Sequence, residues 1–110
     1  MGKASRRDID SIISWMNSEG GHQPVTSSEI HERLEAEGYS NSFEDLEKDL
    51  EALVGRRDIH AVGRNRLGEV YYIPSVGREY RSGFRDSRGR FVKEWWDRPA
   101  DFQELEGEIL

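Results

Sequence analysis

The side chains that most often perform catalysis are few in this chain, and their spacing does not fit a catalytic site. Its three histidines are far apart, and within the predicted helices only His31 has a carboxylate, Glu35, one helical turn away. One such pair is more typical of a surface contact than of a metal site. There is no cysteine, which excludes disulfides, zinc–thiolate centres and thiol nucleophiles. No Gly-x-Ser-x-Gly elbow or glycine-rich phosphate loop occurs. We therefore expect no enzyme, no metal and no cofactor.

Arginine side chains are concentrated in the middle of the chain, where aromatic residues lie between them. Residues 55–93 carry 10 basic and 4 acidic side chains, although the whole chain has a net charge of −6. Guanidinium groups bind phosphate and aromatic rings stack on bases, so this combination favours nucleic acid. The alternative is a hairpin that buries its aromatic rings, and the basic surface is present in both cases. The candidate nucleic-acid-binding residues are Arg56, Arg57, Arg64, Asn65, Arg66, Arg78, Arg81, Arg85, Arg88, Arg90 and Lys93.

Acidic side chains dominate the segments on both sides of this basic region. Residues 1–54 carry 5 basic and 12 acidic side chains, and residues 94–110 carry 1 and 6. The exposed face of the third predicted helix has five acids and one lysine, which DNA phosphates would repel. That helix is therefore expected to face away from nucleic acid or, alternatively, to dock on a basic protein as a nucleic-acid mimic. The partner-binding residues of this alternative are Glu44, Asp45, Glu47, Lys48, Glu51, Trp95 and Trp96.

The spacing of apolar residues predicts three short helices that would position these groups. The first covers residues 8–18, the second lies between 26 and 38, and the third between 42 and 55. The start of the second helix has the clearest signal, because Thr26 and Glu29 have the spacing of a capping box. The residues expected to be largely buried are Ile12, Ile13, Ile30, Leu34, Leu46, Leu50 and Val70.

Two strands are predicted after the helices, over residues 58–63 and 69–73, because β-branched and aromatic residues are enriched there. The joint between them, Arg64-Asn65-Arg66-Leu67-Gly68, is typical of a hairpin turn. Residues 79–93 are interpreted as a second hairpin. The acidic end of the chain is expected to be disordered or an amphipathic helix, and disorder is favoured for a free terminus.

This order of three helices and a hairpin resembles the winged helix-turn-helix family over residues 8–74. The similar segments are SSEIHERLEAEGY as the second helix, SFEDLEKDLEALVGRRDI as the third and HAVGRNRLGEVYYIP as the wing. The resemblance implies a third helix in the major groove and a wing on the backbone or minor groove, and the acidic third helix departs from that pattern. The segment RDSRGRFVKE also resembles a short basic element of phage and mobile-element proteins.

The fold class we predict is α+β, a winged helix with a C-terminal extension that forms the second hairpin. The organisation we expect is a flexible N-terminus at 1–7, a winged-helix domain at 8–76, a basic aromatic extension at 77–96 and an acidic tail at 97–110.

The function that we expect is that of a small non-catalytic regulator, from a virus, phage or mobile element, that binds nucleic acid. Duplex DNA is the favoured ligand, bound with weak sequence specificity. A protein partner at the third helix or acidic tail, a homodimer, and an accessory role in recombination or an endonuclease system remain alternatives. No apolar run approaches the ~20 residues of a membrane span, so we expect a cytoplasmic protein, or one of the nucleoid or nucleus.

Overall fold

The computed structural model describes residues 2–21, 23–74 and 99–104. They form a small α+β domain in which three helices pack on an antiparallel sheet of strand order β1-β3-β2-β4. The strands β1, β3 and β2, together with the helices, are compatible with a winged-helix-like arrangement, and β4 lies on the outer edge of β2. The elements are α1 (Arg6–Glu19), β1 (Val25–Thr26), α2 (Ser27–Ala36), α3 (Phe43–Gly55), β2 (Ile59–Arg64), β3 (Val70–Pro74) and β4 (Gln103–Glu104).

Each helix begins at a hydroxyl side chain that accepts a hydrogen bond from the first turn. The capping box of Thr26 and Glu29 at the start of α2 is confirmed. A second capping box starts α1, where Ser5 Oγ accepts from the Asp8 N–H at 3.1 Å and the Asp8 carboxylate accepts from the Ser5 N–H at 3.0 Å. The first helix therefore begins two residues earlier than its apolar spacing predicted, since the cap lies outside the apolar stripe.

The residues that precede α1 contact the rest of the domain. Ala4 is only 4% exposed. Its N–H donates to Asn41 Oδ1 at 2.7 Å, and the Asn41 side-chain amide donates back to the Ala4 carbonyl at 3.2 Å. This reciprocal pair joins the start of the chain to the turn between α2 and α3. The expectation of a flexible terminus at 1–7 does not include this contact, since it joins residues 37 positions apart in the sequence.

The main core lies between the helices and one face of the sheet, as expected from the apolar stripes. Two of the residues expected in it, Ile12 and Val70, are only partly buried and pack at its margin. The other five are fully buried, namely Ile13, Ile30, Leu34, Leu46 and Leu50. None of the helices in the described ranges is long and apolar enough to cross a membrane.

The hairpin of β2 and β3 is confirmed, with each strand shifted by one residue from its predicted range. An irregularity in register between Ala61 and Gly63 changes the face to which the end of β2 points. Because successive side chains of a strand point to opposite faces, Val62, Tyr71 and Ile73 form a second buried cluster on the far side of the sheet, against which Phe102 packs.

The end of the chain departs from the sequence-based expectation. Residues 99–104 contain neither the favoured disorder nor an amphipathic helix, because β4 pairs with β2 in the register Gly63↔Glu104 and Arg64↔Gln103. A strand of two residues is defined by its distant partner, so no local pattern indicates it. The second hairpin predicted at 79–93 lies outside the described residues, as do Trp95 and Trp96.

Candidate nucleic-acid interface

The tip of the β2–β3 hairpin is organised by one side chain, that of Asn65. Its Oδ1 accepts hydrogen bonds from the N–H groups of Leu67 at 3.0 Å and Glu69 at 2.9 Å, and its Nδ2 donates to Glu69 Oε1 at 3.1 Å. Gly68 closes the turn with a φ of 86°, a conformation that favours glycine. The tip therefore has a fixed shape before any ligand arrives. Asn65 was predicted to contact nucleic acid, and here its amide holds the turn together.

Three exposed side chains project from this tip. Arg64 and Arg66, both predicted from the sequence, lie on it together, and Arg64 Nη1 donates to the Gly68 carbonyl at 3.1 Å. Leu67, between Arg66 and Gly68, is 86% exposed. Two cations beside an apolar side chain suit a groove of a nucleic acid, where arginine binds phosphate and small apolar groups contact sugars or base edges.

Arg56 and Arg57 were predicted from the sequence as nucleic-acid-binding residues with Arg64 and Arg66, but they are not part of this cluster. They precede β2, whereas Arg64 is its last residue, so the two pairs are separated by the length of a six-residue strand, roughly 3.3 Å per residue. Arg56 Nε is 3.3 Å from a carboxylate oxygen of Asp58. Arg57 has a positive φ of 63°. The remaining predicted basic residues, which are Arg78, Arg81, Arg85, Arg88, Arg90 and Lys93, lie outside the described residues.

The acidic face of α3 is partly neutralised by residues ahead of and within α1. Lys3 Nζ is 2.6 Å from Asp45 and Arg6 Nε is 3.0 Å from Asp49. The hydrogen bond from Lys3 holds the pKa of Asp45 below its usual value. Both pairs are at least partly exposed and add little stability. The rest of the face is exposed, and it consists of Glu44, Glu47, Lys48 and Glu51.

A solvent-facing tryptophan on α1 was missed by the sequence analysis. Trp15 is 53% exposed, and the guanidinium carbon of Arg33 lies 4.1 Å from the centre of one of its rings. Arg33 also pairs with Glu19 at 3.4 Å and with Glu37 at 3.2 Å. The sequence does indicate its exposure, because Trp15 falls outside the apolar stripe of the first helix and so must face solvent.

Residues 99–104, which we call the strap, lie along the outer edge of β2 beside the wing. The ring of Phe102 is 5.7 Å from that of Tyr71, centre to centre. Phe102 also covers Gly63 so closely that a Cβ there would lie 2.4 Å from its ring and 2.7 Å from the Gln103 carbonyl. Only glycine permits this approach. The strap therefore packs closely and specifically against the wing.

The carboxylate of Asp101 connects the strap to the wing by two hydrogen bonds. Tyr71 Oη donates to Asp101 Oδ1 at 2.8 Å, and the backbone N–H of Arg66 donates to Asp101 Oδ2 at 3.4 Å. These donors hold the pKa of Asp101 below its usual value. Burial, followed by the bond to Asp101, raises the pKa of Tyr71 to about 12. The strap thus places a negative charge directly against the wing.

Within the described part of the chain, no group of three or more histidine or carboxylate side chains is arranged to hold a metal ion. Comparison of the chain with models of protein families, with curated proteins and with solved structures found no match.

Proposed function

We propose that this chain is a winged-helix protein that binds nucleic acid without catalysis, through its wing and the basic segment that follows β3. The observation that carries the proposal is the hairpin tip, whose shape is fixed by Asn65 and from which Arg64 and Arg66 project. A pre-formed tip loses little conformational freedom on binding, so the ion pairs that its arginines make with phosphate contribute more to affinity.

The negative charge of α3 supports contact through the wing. After pairing of Asp45 and Asp49 with Lys3 and Arg6, the helix still exposes acidic side chains. In the major groove those charges would lie close to DNA phosphates, and good base contacts contribute only about 1–3 kcal/mol each. The wing carries charge of the opposite sign, so binding through it avoids this repulsion.

The basic segment after β3 supports binding to nucleic acid by its charge. Residues 75–93 contain six of the basic side chains of the chain and two acidic ones. The segment follows Pro74, which pairs with Ile59 at the end of the hairpin away from the tip, so its start is separated from Arg64 and Arg66 by the length of the hairpin. A small regulator of transcription that binds duplex DNA with weak sequence specificity is the form of this function that we propose.

A second candidate function is binding to a basic protein, and exposed side chains of the three helices favour it. Trp15 and the stacked Arg33 form an amphipathic platform of the kind enriched at protein interfaces. The exposed acids of α3 would complement a basic partner. In this case the wing arginines would have no effect on complex formation.

The test is binding of the full chain to duplex DNA, single-stranded DNA and RNA over a range of salt concentrations. Replacing both Arg64 and Arg66 by alanine should weaken binding at low salt and reduce the slope of log affinity against log salt by about 0.9 for each lost phosphate contact with duplex DNA. Lys48→Ala is the matched control, since it removes an exposed cation from α3 and should change neither quantity.

A further pair of variants tests the orientation of the domain. Glu44→Gln and Glu47→Gln should leave affinity unchanged or raise it, because these acids face away from the ligand or weakly repel it. If micromolar protein binds none of the three nucleic acids at low salt, the leading proposal fails and the protein-binding function takes its place.

A further inference from the structure

The carboxylate of Asp101 occupies a small anion site on the wing. Its two oxygens accept one hydrogen bond each, from the hydroxyl of Tyr71 and from the backbone N–H of Arg66. Neither donor comes from a charged side chain, although Arg66 also carries a nearby positive charge. Two donors that converge on one pair of anionic oxygens fit a carboxylate, and they fit two oxygens of a phosphodiester equally well.

We propose that the Tyr71 hydroxyl and the Arg66 N–H form a phosphate-binding site of the wing, and that Asp101 occupies this site in place of a nucleic-acid phosphate. The inference rests on the proposed function and adds to it one defined phosphate contact and its intramolecular competitor. In the absence of nucleic acid Asp101 fills the site, and a bound phosphodiester takes over both hydrogen bonds.

The position of Asp101 is set by its neighbours in the strap. Phe102 packs over Gly63 and against Tyr71, and the Phe102 N–H donates to the Pro99 carbonyl at 3.1 Å. These contacts hold the carboxylate at the tip without sealing it from solvent, because Asp101 is half-buried. A phosphate can therefore reach the site when the aspartate side chain leaves it.

The charged groups that act on Tyr71 are carboxylates, and the two hydrogen bonds hold an anion at this site in spite of them. The carboxylates of Glu29 and Glu69 lie close enough to help raise the pKa of Tyr71. Both are engaged elsewhere, Glu29 in the α2 capping box and Glu69 with Asn65 and Ser28. The pKa of Asp101 is nevertheless lowered, since the two hydrogen bonds to it outweigh its desolvation.

The experiment compares three variants of the full chain, namely Asp101→Ala, Tyr71→Phe and the combination of both. Asp101→Ala removes the carboxylate from the site and should tighten binding to duplex DNA at low salt by about tenfold. This is the gain expected when a phosphate makes a charge-assisted hydrogen bond without first displacing a competing carboxylate. Tyr71→Phe keeps the ring that packs on Phe102 but removes the hydroxyl. In the combined variant most of the tenfold gain should disappear, because the phosphate then lacks its donor.

Two controls separate a specific site from a general effect of charge. Glu104→Gln removes one negative charge from the same strap and should change affinity much less than Asp101→Ala. Circular dichroism and thermal unfolding of each variant show whether the fold is kept. An equal gain in Asp101→Ala and in the combined variant would mean that Asp101 acts by charge alone, and it would overturn the site.

Inorganic phosphate serves as a second probe, since free phosphate has the same chemistry as the backbone of nucleic acid. Titrated into Asp101→Ala, it should shift the NMR signal of the Arg66 amide weakly and compete with DNA only at high concentration. If phosphate shifts that signal but Asp101→Ala binds DNA no better than the unchanged chain, the site does not take nucleic acid and the inference is wrong. Failure of every variant to bind nucleic acid would instead reject the proposed function itself.

Discussion

Arg57 occupies a backbone conformation that is unusual for its residue type. The end of α3 forms a Schellman motif, in which the N–H of Asp58 donates to the Leu53 carbonyl at 2.9 Å and that of Arg57 to the Val54 carbonyl at 3.0 Å. The motif requires a left-handed residue after the C-cap, and Arg57 supplies it with a φ of 63°. For a residue with a Cβ this costs about 1–2 kcal/mol. A glycine at the end of an apolar stripe is typical of a helix stop, yet Gly55 is still helical and the left-handed residue comes two positions later.

Replacing Arg57 with glycine should therefore stabilise the protein by up to about 1 kcal/mol, because relief of the left-handed strain exceeds the extra entropy of glycine in the unfolded chain. Urea denaturation measures the change. The neighbouring Arg56→Gly is the matched control, and it should destabilise, since Arg56 has a φ of −85° that gives glycine no advantage. A less stable Arg57→Gly variant would mean that the arginine side chain makes a stabilising contact.

Tyr71 and Tyr72 should make stability fall at high pH. The pKa of each is raised from 10.0 to about 12, chiefly by burial. Between pH 10 and 12 the unfolded phenols lose protons that the native ones retain, so the free energy of unfolding decreases as pH rises through this window. Urea midpoints measured from pH 9 to 12 should decline, and Tyr72→Phe should decline less steeply. If the urea midpoint falls equally steeply with pH in the unchanged protein and in Tyr72→Phe, the raised pKa of Tyr72 is not a cause of the decline.

At the level of elements, the helices and the hairpin could be predicted, because the signals that specify them are close together in the sequence. The capping box at Thr26 and the apolar stripes gave three helices because their signals lie within one or two turns. The turn around Asn65 gave the hairpin and brought Arg64 and Arg66 together on the tip. The strands β1 and β4 were missed, because each has two residues and exists only through pairing with a distant strand.

The strap shows the same limit for the candidate site. Asp101 is separated by 35 residues from Arg66 and by 30 from Tyr71, so no spacing rule connects them. One local sign was present, since Gly63 lies inside a strand pattern, where glycine often marks a close approach of another segment. That sign indicates a contact without naming its partner, and the position of the tail at a free terminus favoured disorder instead.

The variant Gly63→Val should release the strap from the edge of β2. Its side chain would occupy the position of the Phe102 ring and of the Gln103 carbonyl. Backbone amides of the strap should then exchange with solvent as fast as those of an unstructured peptide, while the amides of α3 stay protected. Gly55→Ala is the matched control, because a Cβ at Gly55 meets no atom within 4 Å, and it should leave exchange in the strap unchanged. Slow exchange of the strap in Gly63→Val would contradict this role.

For the whole molecule, the separation of charge into acidic, basic and acidic segments is reduced by folding. Lys3 and Arg6 lie on the acidic α3, and Asp101 lies on the basic wing. The first two pairs neutralise acids within the segment 1–54, whereas the contact of Asp101 joins an acid of the tail to the basic segment. Net charge per segment is therefore a guide to the partner of a surface only after such pairs have been identified.

Removal of the acidic end should strengthen nucleic-acid binding at low salt. We compare a chain that ends at Glu104, which keeps the strap, with one that ends at Asp97, which lacks it. The first loses Glu106 and Glu108 and should bind moderately more tightly, and the second should bind most tightly, because Asp101 is also gone. Both gains should fade as salt rises, since exposed charges are screened over about 8–10 Å. Equal affinity of all three chains at low salt would show that the tail does not oppose binding.

The contact of Phe102 with Gly63 also has a consequence for the evolution of this chain. An aromatic ring that rests on a bare backbone ties two distant positions together, because a side chain gained at 63 removes the place where the ring at 102 sits. Among descendants of a common ancestor, the two positions should change together, with glycine at 63 wherever an aromatic residue is kept at 102. Where the glycine has been lost, the selective pressure that keeps an acid at 101 should be lost as well.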